Sequence, residues 1–371
     1  MKPDGRPKPR PNRKLKRVRE LLAVDEAQFR RVTYVALAAL TLIVFTGAAV
    51  RLTSSGLGCP TWPKCYGNVY PPLKTHALIE FSNRLITVPV SIAAGLAWLA
   101  AVRRRPYRRD LVWLGALLPL GVVAQAVLGG FTVKGQLDYG WVMGHFALSM
   151  LILVAAVVLV WRARNEPRAA SAVMDSVDGA LAGDRAVPGA HGARRAGAGG
   201  AGARSAASDP AVVRALRWLL ALAALTIFAG TAATAAGPHA GGSPGQKINR
   251  LDFDGRGTMD FVIHRHAEIA LLFSLAAVFV WWLARRREAR PAVQRPLTVL
   301  CWLLALQGAV GLDQYETHLP TELVWVHVAL ASGVWIGLLW AACAAGALAP
   351  FRARRSAERP LEGQLTTPTA V

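Results

Sequence analysis

The sequence predicts an all-α polytopic membrane protein, with eight transmembrane helices arranged as two tandem four-helix bundles related by pseudo-twofold symmetry along the membrane normal. Three observations predict it. Apolar residues fall into eight blocks, each near the roughly 20 residues that cross a bilayer core as a helix. Basic residues gather in alternate connections. The last four blocks repeat the first four.

The spans read as 32–52, 78–101, 111–131, 141–161, 213–236, 261–284, 297–312 and 322–349, the seventh being the shortest. The overall hydrophobic content of 53% decides little, because soluble domains already reach about 45–50%. The net charge of +21 is of the size that often accompanies nucleic-acid binding, but its placement excludes that reading. Basic residues precede the first span (Arg13, Lys14, Lys16, Arg17, Arg19, Arg30, Arg31) and recur after the second (Arg103, Arg104, Arg105, Arg108, Arg109). They return at Arg162 and Arg164, Arg214 and Arg217, Arg285 to Arg287, and Arg352, Arg354 and Arg355. The intervening connections carry few. The positive-inside rule then puts both termini in the cytoplasm of a multi-pass protein of a bacterial-type plasma membrane.

Residues 1–31 are polar and basic, with no short apolar core and small-residue cleavage site, so no cleavable signal peptide is expected. They read as a disordered cytoplasmic arm. Residues 165–211, rich in Ala, Gly, Arg and Ser without apolar period, read as a flexible linker, and His191 lies within it. The linker separates an N-terminal half, 32–164, from a C-terminal half, 212–349, and residues 350–371 form a tail.

The halves repeat in order. Gln125, Gly129, His145, Ala147 and Leu148 match Gln307, Gly311, His327, Ala329 and Leu330 at an offset of 182. Thr53, Gly56 and Arg84 match Thr234, Gly237 and Arg265 at 181, a register that sets Asn83 against His264. An ordered string of matches reads as internal duplication. Four spans return the chain to its starting side, so the copies share one orientation.

Ionisable groups inside a bilayer are costly and usually face the bundle interior. Glu80, Asn83, His145, His264 and His327 all enter their spans from the external side, within about two turns or roughly 3–9 Å of rise. Each half can therefore place one site between its second and fourth helices. Two histidines at one depth on facing helices suit axial ligation of a heme, and His264 with His327 fill that pattern in the second half. The alternative is a polar contact between helices. His266 lies two residues from His264, on the opposite face, and is not expected to be a co-ligand. Glu268 shares the face of His264; it either orients that imidazole or pairs with Arg265 at i+3. Arg84 and Arg265 either hold heme propionates or snorkel to headgroups. Glu80 shares a face with Asn83, and a lone carboxylate there stays protonated or serves chemistry. His76, His239 and His318 lie in external connections. Cys59 and Cys65 lie together in the first of these, where a disulfide is permitted. They suit a closed loop or a redox-active pair, with too few ligands for a metal. Cys301 and Cys343 read as small buried hydrophobes.

These residues together resemble the heme A synthase family, membrane enzymes that oxidise heme O to heme A for cytochrome oxidases. The carrying segments are Arg51-Leu52-Thr53-Ser54-Ser55-Gly56-Leu57 with Cys59 and Cys65, Glu80-Phe81-Ser82-Asn83-Arg84 and His145, then Gly237-Pro238-His239, His264-Arg265 and His327. The resemblance spans about residues 32–349 outside the linker. It implies a resident heme b on His264 and His327, and a heme O substrate in the first half with His145 on its iron and Glu80 as catalytic carboxylate. It also implies a Cys59–Cys65 disulfide; Arg84, Arg265 and Asn83 are expected beside the hemes from their own positions. Partners would be heme O, heme O synthase, oxidase assembly factors and membrane lipid, with self-association left open. The family pattern Glu-x-x-His-Arg is broken by Asn83, and an amide is a poor iron ligand. That would leave one axial face of the first heme open. The alternatives are a di-heme electron-transfer cytochrome acting on quinone, and a heme transporter or chaperone.

Overall fold

A computed structural model describes residues 23–165, 208–242, 246–253 and 257–348. Most of the expected arm and linker, and the expected tail, lie outside the described residues. The described chain forms eight helices long and apolar enough to cross a membrane: α1 Glu26–Leu52, α2 Thr75–Arg103, α3 Arg109–Lys134, α4 Tyr139–Arg164, α5 Pro210–Ala236, α6 Thr258–Arg286, α7 Pro291–Glu316 and α8 Thr321–Ala345. At 1.5 Å per residue the shortest, of 25 residues, is about 38 Å long, more than the ~30 Å hydrocarbon core. Most helices outrun their apolar spans, because polar end residues continue the helix outside the apolar layer. The seventh gains most, reaching 26 residues. Its mean hydropathy, 1.5, is the lowest of the eight, since Gln294, Arg295, Gln307, Asp313 and Gln314 dilute the apolar signal without breaking the helix.

The described residues divide between two compact units. The first takes its residues from 1–43, 82–127 and 151–206. Within it, Gly115 brings α3 against the Trp98 backbone of α2, and Gly121 faces Ile152 of α4. Arg104 is fully buried, paired with Glu26 at 3.3 Å and lying over the Phe29 ring. A buried arginine needs such partners because removing a charge from water is costly. Beside it Val24 donates its N–H to the Arg103 carbonyl and accepts the Arg105 N–H. Asp110 accepts from Arg108 at 2.7 Å and Arg162 at 3.2 Å, joining the start of α3 to the end of α4.

The second unit takes its residues from 44–81, 128–150 and 207–371. Here α5 packs on α6 and α8, and α7 packs on α6 and α8, closing a four-helix ring. Asp209 caps α5 by accepting the Ala211 N–H, with Pro210 opening the helix. Gly346, at φ 75°, ends α8 in the left-handed region that glycine tolerates. Trp325 and Trp335 of α8 donate their indole N–H groups to the Phe45 and Met150 carbonyls. Gly56 donates to the Gly241 carbonyl at 2.8 Å, so the α1–α2 and α5–α6 connections meet on one face.

Candidate functional site

The α1–α2 connection folds back onto the start of α2. Cys59 and Cys65 form a disulfide. Backbone bonds between Cys65 and Asn68 in both directions, and Thr61 accepting from Gly67, shape the loop it closes. Gly58 has no room for a side chain: a Cβ there would strike the His76 carbonyl. Ser55 Oγ and His76 Nδ1 lie 3.0 Å apart, which ties the connection to the first turn of α2. One turn further along α2, Glu80 is 5% exposed, and its Oε2 accepts the Cys59 backbone N–H at 2.7 Å. A buried carboxylate is costly without such a donor. The disulfide loop is therefore fastened to the carboxylate itself.

The far side of the loop reaches α3. Trp62 lies on Gly130, where a Cβ would come within 3.0 Å of its ring. The adjacent Gly129 backs the imidazole of His145 on α4, 3.4 Å from a Cβ placed there. One loop thus spans the carboxylate on α2 and the glycines behind the histidine on α4. Asn83 follows Glu80 by three residues on the same helix face, and its carbonyl accepts from Thr87. Arg84 is next on α2 and half-buried.

In the second half the structure pairs His266, not His264, with His327. The two rings are 6.2 Å apart between centroids and inclined by 73°. Positions i and i+2 on a helix point about 200° apart, so only one of the two histidines can face the bundle. His264 turns outward: its side chain is 54% exposed, its Nδ1 lies 2.8 Å from the Asp260 carbonyl, and its ring meets Tyr315 edge-on. Arg265 likewise points away, binding Glu268 at 2.6 Å and lying over Phe261. Of the two roles open to Glu268, the pairing with Arg265 is the one observed.

The residues around the imidazole pair fit a heme. Nitrogens about 2 Å from a shared first-row metal put opposed imidazole centroids about 6 Å apart, and the spacing is 6.2 Å. Nδ1 of His266 and Nδ1 of His327 are buried without a hydrogen-bond partner. Glycines back both rings: a Cβ on Gly230 would lie 3.0 Å from His266, and one on Gly311 3.2 Å from His327. Gln307 donates to the His327 carbonyl at 3.1 Å. Of the histidines expected in the connections, His76 instead lies in the first turn of α2, because the helix begins at Thr75, and its Nδ1 is 3.0 Å from Ser55 Oγ; His239 lies 2.8 Å from the Leu319 carbonyl.

A sequence signal for His266 exists. An offset of 183 aligns Phe45 with Phe228, Gly47 with Gly230, and Asn83 with His266. The 181 register, anchored on Arg84 and Arg265, hides it.

A family model described as Cytochrome oxidase assembly protein matches residues 30–339. Among curated relatives, a heme A synthase of Lysinibacillus sphaericus is 37% identical over 32% of this chain and 40% of its own length. One of Geobacillus kaustophilus is 35% identical over 34% and 41%. One of Shewanella oneidensis is 25% identical over 77% and 87%. The match thus spans about two fifths of the first two relatives. With the family model covering most of the residues from α1 to α8, the chain belongs to the cytochrome oxidase assembly protein family.

Proposed function

We propose that this protein is a heme A synthase, oxidising the methyl substituent of heme O to a formyl group by way of an alcohol. The observation that carries the reading is the asymmetry of the two sites. One has a matched imidazole pair. The other has one imidazole and a buried carboxylate, both reached by one disulfide loop. The first arrangement suits a resident cofactor and the second a heme that enters, reacts and leaves.

In this reading His266 and His327 hold heme b, and a bis-imidazole heme supplies one-electron transfer when bound. The heme O substrate occupies the first half, with His145 on its iron and Asn83 where the family carries a second histidine. Oxidation of CH3 with water to CHO releases four protons and four electrons; the electrons would leave one at a time, by way of the second-half heme, to an acceptor outside this chain, and the site must pass protons and tolerate positive charge beside the substituent. Glu80 supplies both: a carboxylate held in place by the Cys59 N–H can accept a proton or stabilise developing charge. The disulfide loop above it, with Trp62, limits water. The arginine-rich helix ends and both termini face the cytoplasm, which puts this site near the outer surface of the plasma membrane.

The test is extraction of hemes from cells with and without the protein. Loss of heme A with accumulation of heme O is expected on deletion. Unchanged hemes would remove the proposal.

A further inference from the structure

The last turn of α1 carries a cation that the proposed chemistry leaves unused. Arg51 is partly buried; its Nε is inaccessible and has no hydrogen-bond partner. An arginine closing a membrane helix normally snorkels into water or headgroups. Here the stem is covered. Gly241 of the α5–α6 connection, at φ 104°, lies so close that a Cβ on it would come 3.2 Å from Arg51 Cγ. The cover is pinned by the Gly56–Gly241 backbone bond, and the Leu137 side chain packs beside it. Among the described residues no carboxylate pairs with Arg51, whereas the fully buried Arg104 has Glu26. Desolvating a cation without a counter-charge is costly, so the site is built for an anion brought by a ligand.

Its position says which ligand. Segment 51–59 begins at this guanidinium and ends at Cys59, whose N–H holds Glu80. The cation and the carboxylate are thus anchored by the two ends of one short connection. The second half carries no equivalent cation: the register that matches Thr53 with Thr234 and Gly56 with Gly237 aligns Arg51 with Ala232. We propose that Arg51 is the anchor for a carboxylate of the porphyrin that enters the first half, orienting the ring so that its reacting edge meets Glu80. This rests on the first half being a heme-substrate site. A lipid phosphate is the other anion of suitable chemistry.

The test is titration of the full-length protein, with its resident heme, in phosphatidylcholine nanodiscs. The probes are hemin and hemin dimethyl ester, read by added Soret absorbance. Charge-assisted hydrogen bonds of ordinary strength predict that wild type binds the free diacid at least about tenfold more tightly than the diester. Arg51→Gln should abolish that preference, and Arg51→Lys, which keeps the charge, should retain most of it. Equal binding of both probes by wild type, or an undiminished preference in Arg51→Gln, overturns the assignment. Wild type that binds both probes equally but binds hemin less well in phosphatidylglycerol discs assigns Arg51 to lipid phosphate instead. Wild type that takes up neither probe removes the heme-substrate reading itself, and this inference with it.

Discussion

Two places in this protein, one in each half, start from matching sequence and end in different chemistry. Gly129 with His145 and Gly311 with His327 are the same device: a glycine on the third helix of each half lets the histidine of the fourth lie against its backbone. What the second helix of each half carries differs. In the second half α6 supplies a second imidazole, backed by a second glycine, Gly230. In the first half the α2 position that aligns with His266 carries Asn83, and one turn nearer the loop stands Glu80, whose carboxylate accepts the Cys59 N–H. A pair of strong nitrogen ligands saturates an iron and keeps it. A single ligand beside an acid holds a heme loosely and places a proton acceptor at its edge. On the proposed function, duplication would provide two heme sites, and a few substitutions on one helix would divide the labour between them.

The largest effect expected from breaking this contrast lies in the second half. Replacing His266 or His327 with Ala should abolish the resident low-spin heme spectrum, since changes even to groups behind a metal ligand cost 10–100-fold in affinity and these are the ligands themselves. His264→Ala should leave the spectrum unchanged. The opposite outcome, heme lost with His264 and kept without His266, would reinstate the alignment in which His264 faces Asn83.

Next comes Glu80→Gln. The amide oxygen can still accept the Cys59 N–H, so the loop and fold are preserved while the acid is lost. Turnover of heme O should fall about 10²–10⁴-fold, the usual share of a positioned acid or base, with the resident heme spectrum intact. Normal heme A production by purified Glu80→Gln would remove Glu80 from the mechanism.

Asn83→His tests the contrast from the other side, by making the first half resemble the second. The added imidazole should give a bis-imidazole signature in the first half. Heme retained through purification should rise by about tenfold or more, as a second iron ligand adds at least the strength of a good polar contact. No change in retained heme would mean that position 83 does not reach the iron.

Much of this was legible in the sequence. Eight apolar blocks gave eight helices because a membrane helix must satisfy all its backbone groups within itself, so length and hydropathy suffice. The seventh was underestimated because its glutamines and Asp313 interrupt hydropathy but not helicity. Glu80, His145 and His327 stood out because a polar group in an apolar span needs a reason. The choice between His264 and His266 was not legible from periodicity alone. Both are polar, and which faces inward depends on a two-residue slip in repeat register that only the partner helix resolves. Nor does spacing foretell that the Cys59 N–H meets Glu80, because that bond depends on how Gly58 lets the loop approach the His76 carbonyl.

The smallest effect expected belongs to the loop, and it separates shape from chemistry. Cys59→Ser with Cys65→Ser removes the cross-link but keeps every backbone donor. A link that closes a short loop constrains little unfolded-chain entropy, so the stability loss should fall toward the low end of the usual range of about 2–4 kcal/mol. The Cys59 N–H would still be able to reach Glu80, but without the cross-link it would be held less often. Turnover should therefore drop several-fold rather than the hundredfold or more expected of Glu80→Gln, while the His266–His327 spectrum stays unchanged because α6 and α8 carry that pair. A loss as deep as that of Glu80→Gln would show that the cysteines take part in the redox chemistry. A loss of the second-half spectrum as well would show that the loop supports the whole outer end of the protein rather than one carboxylate.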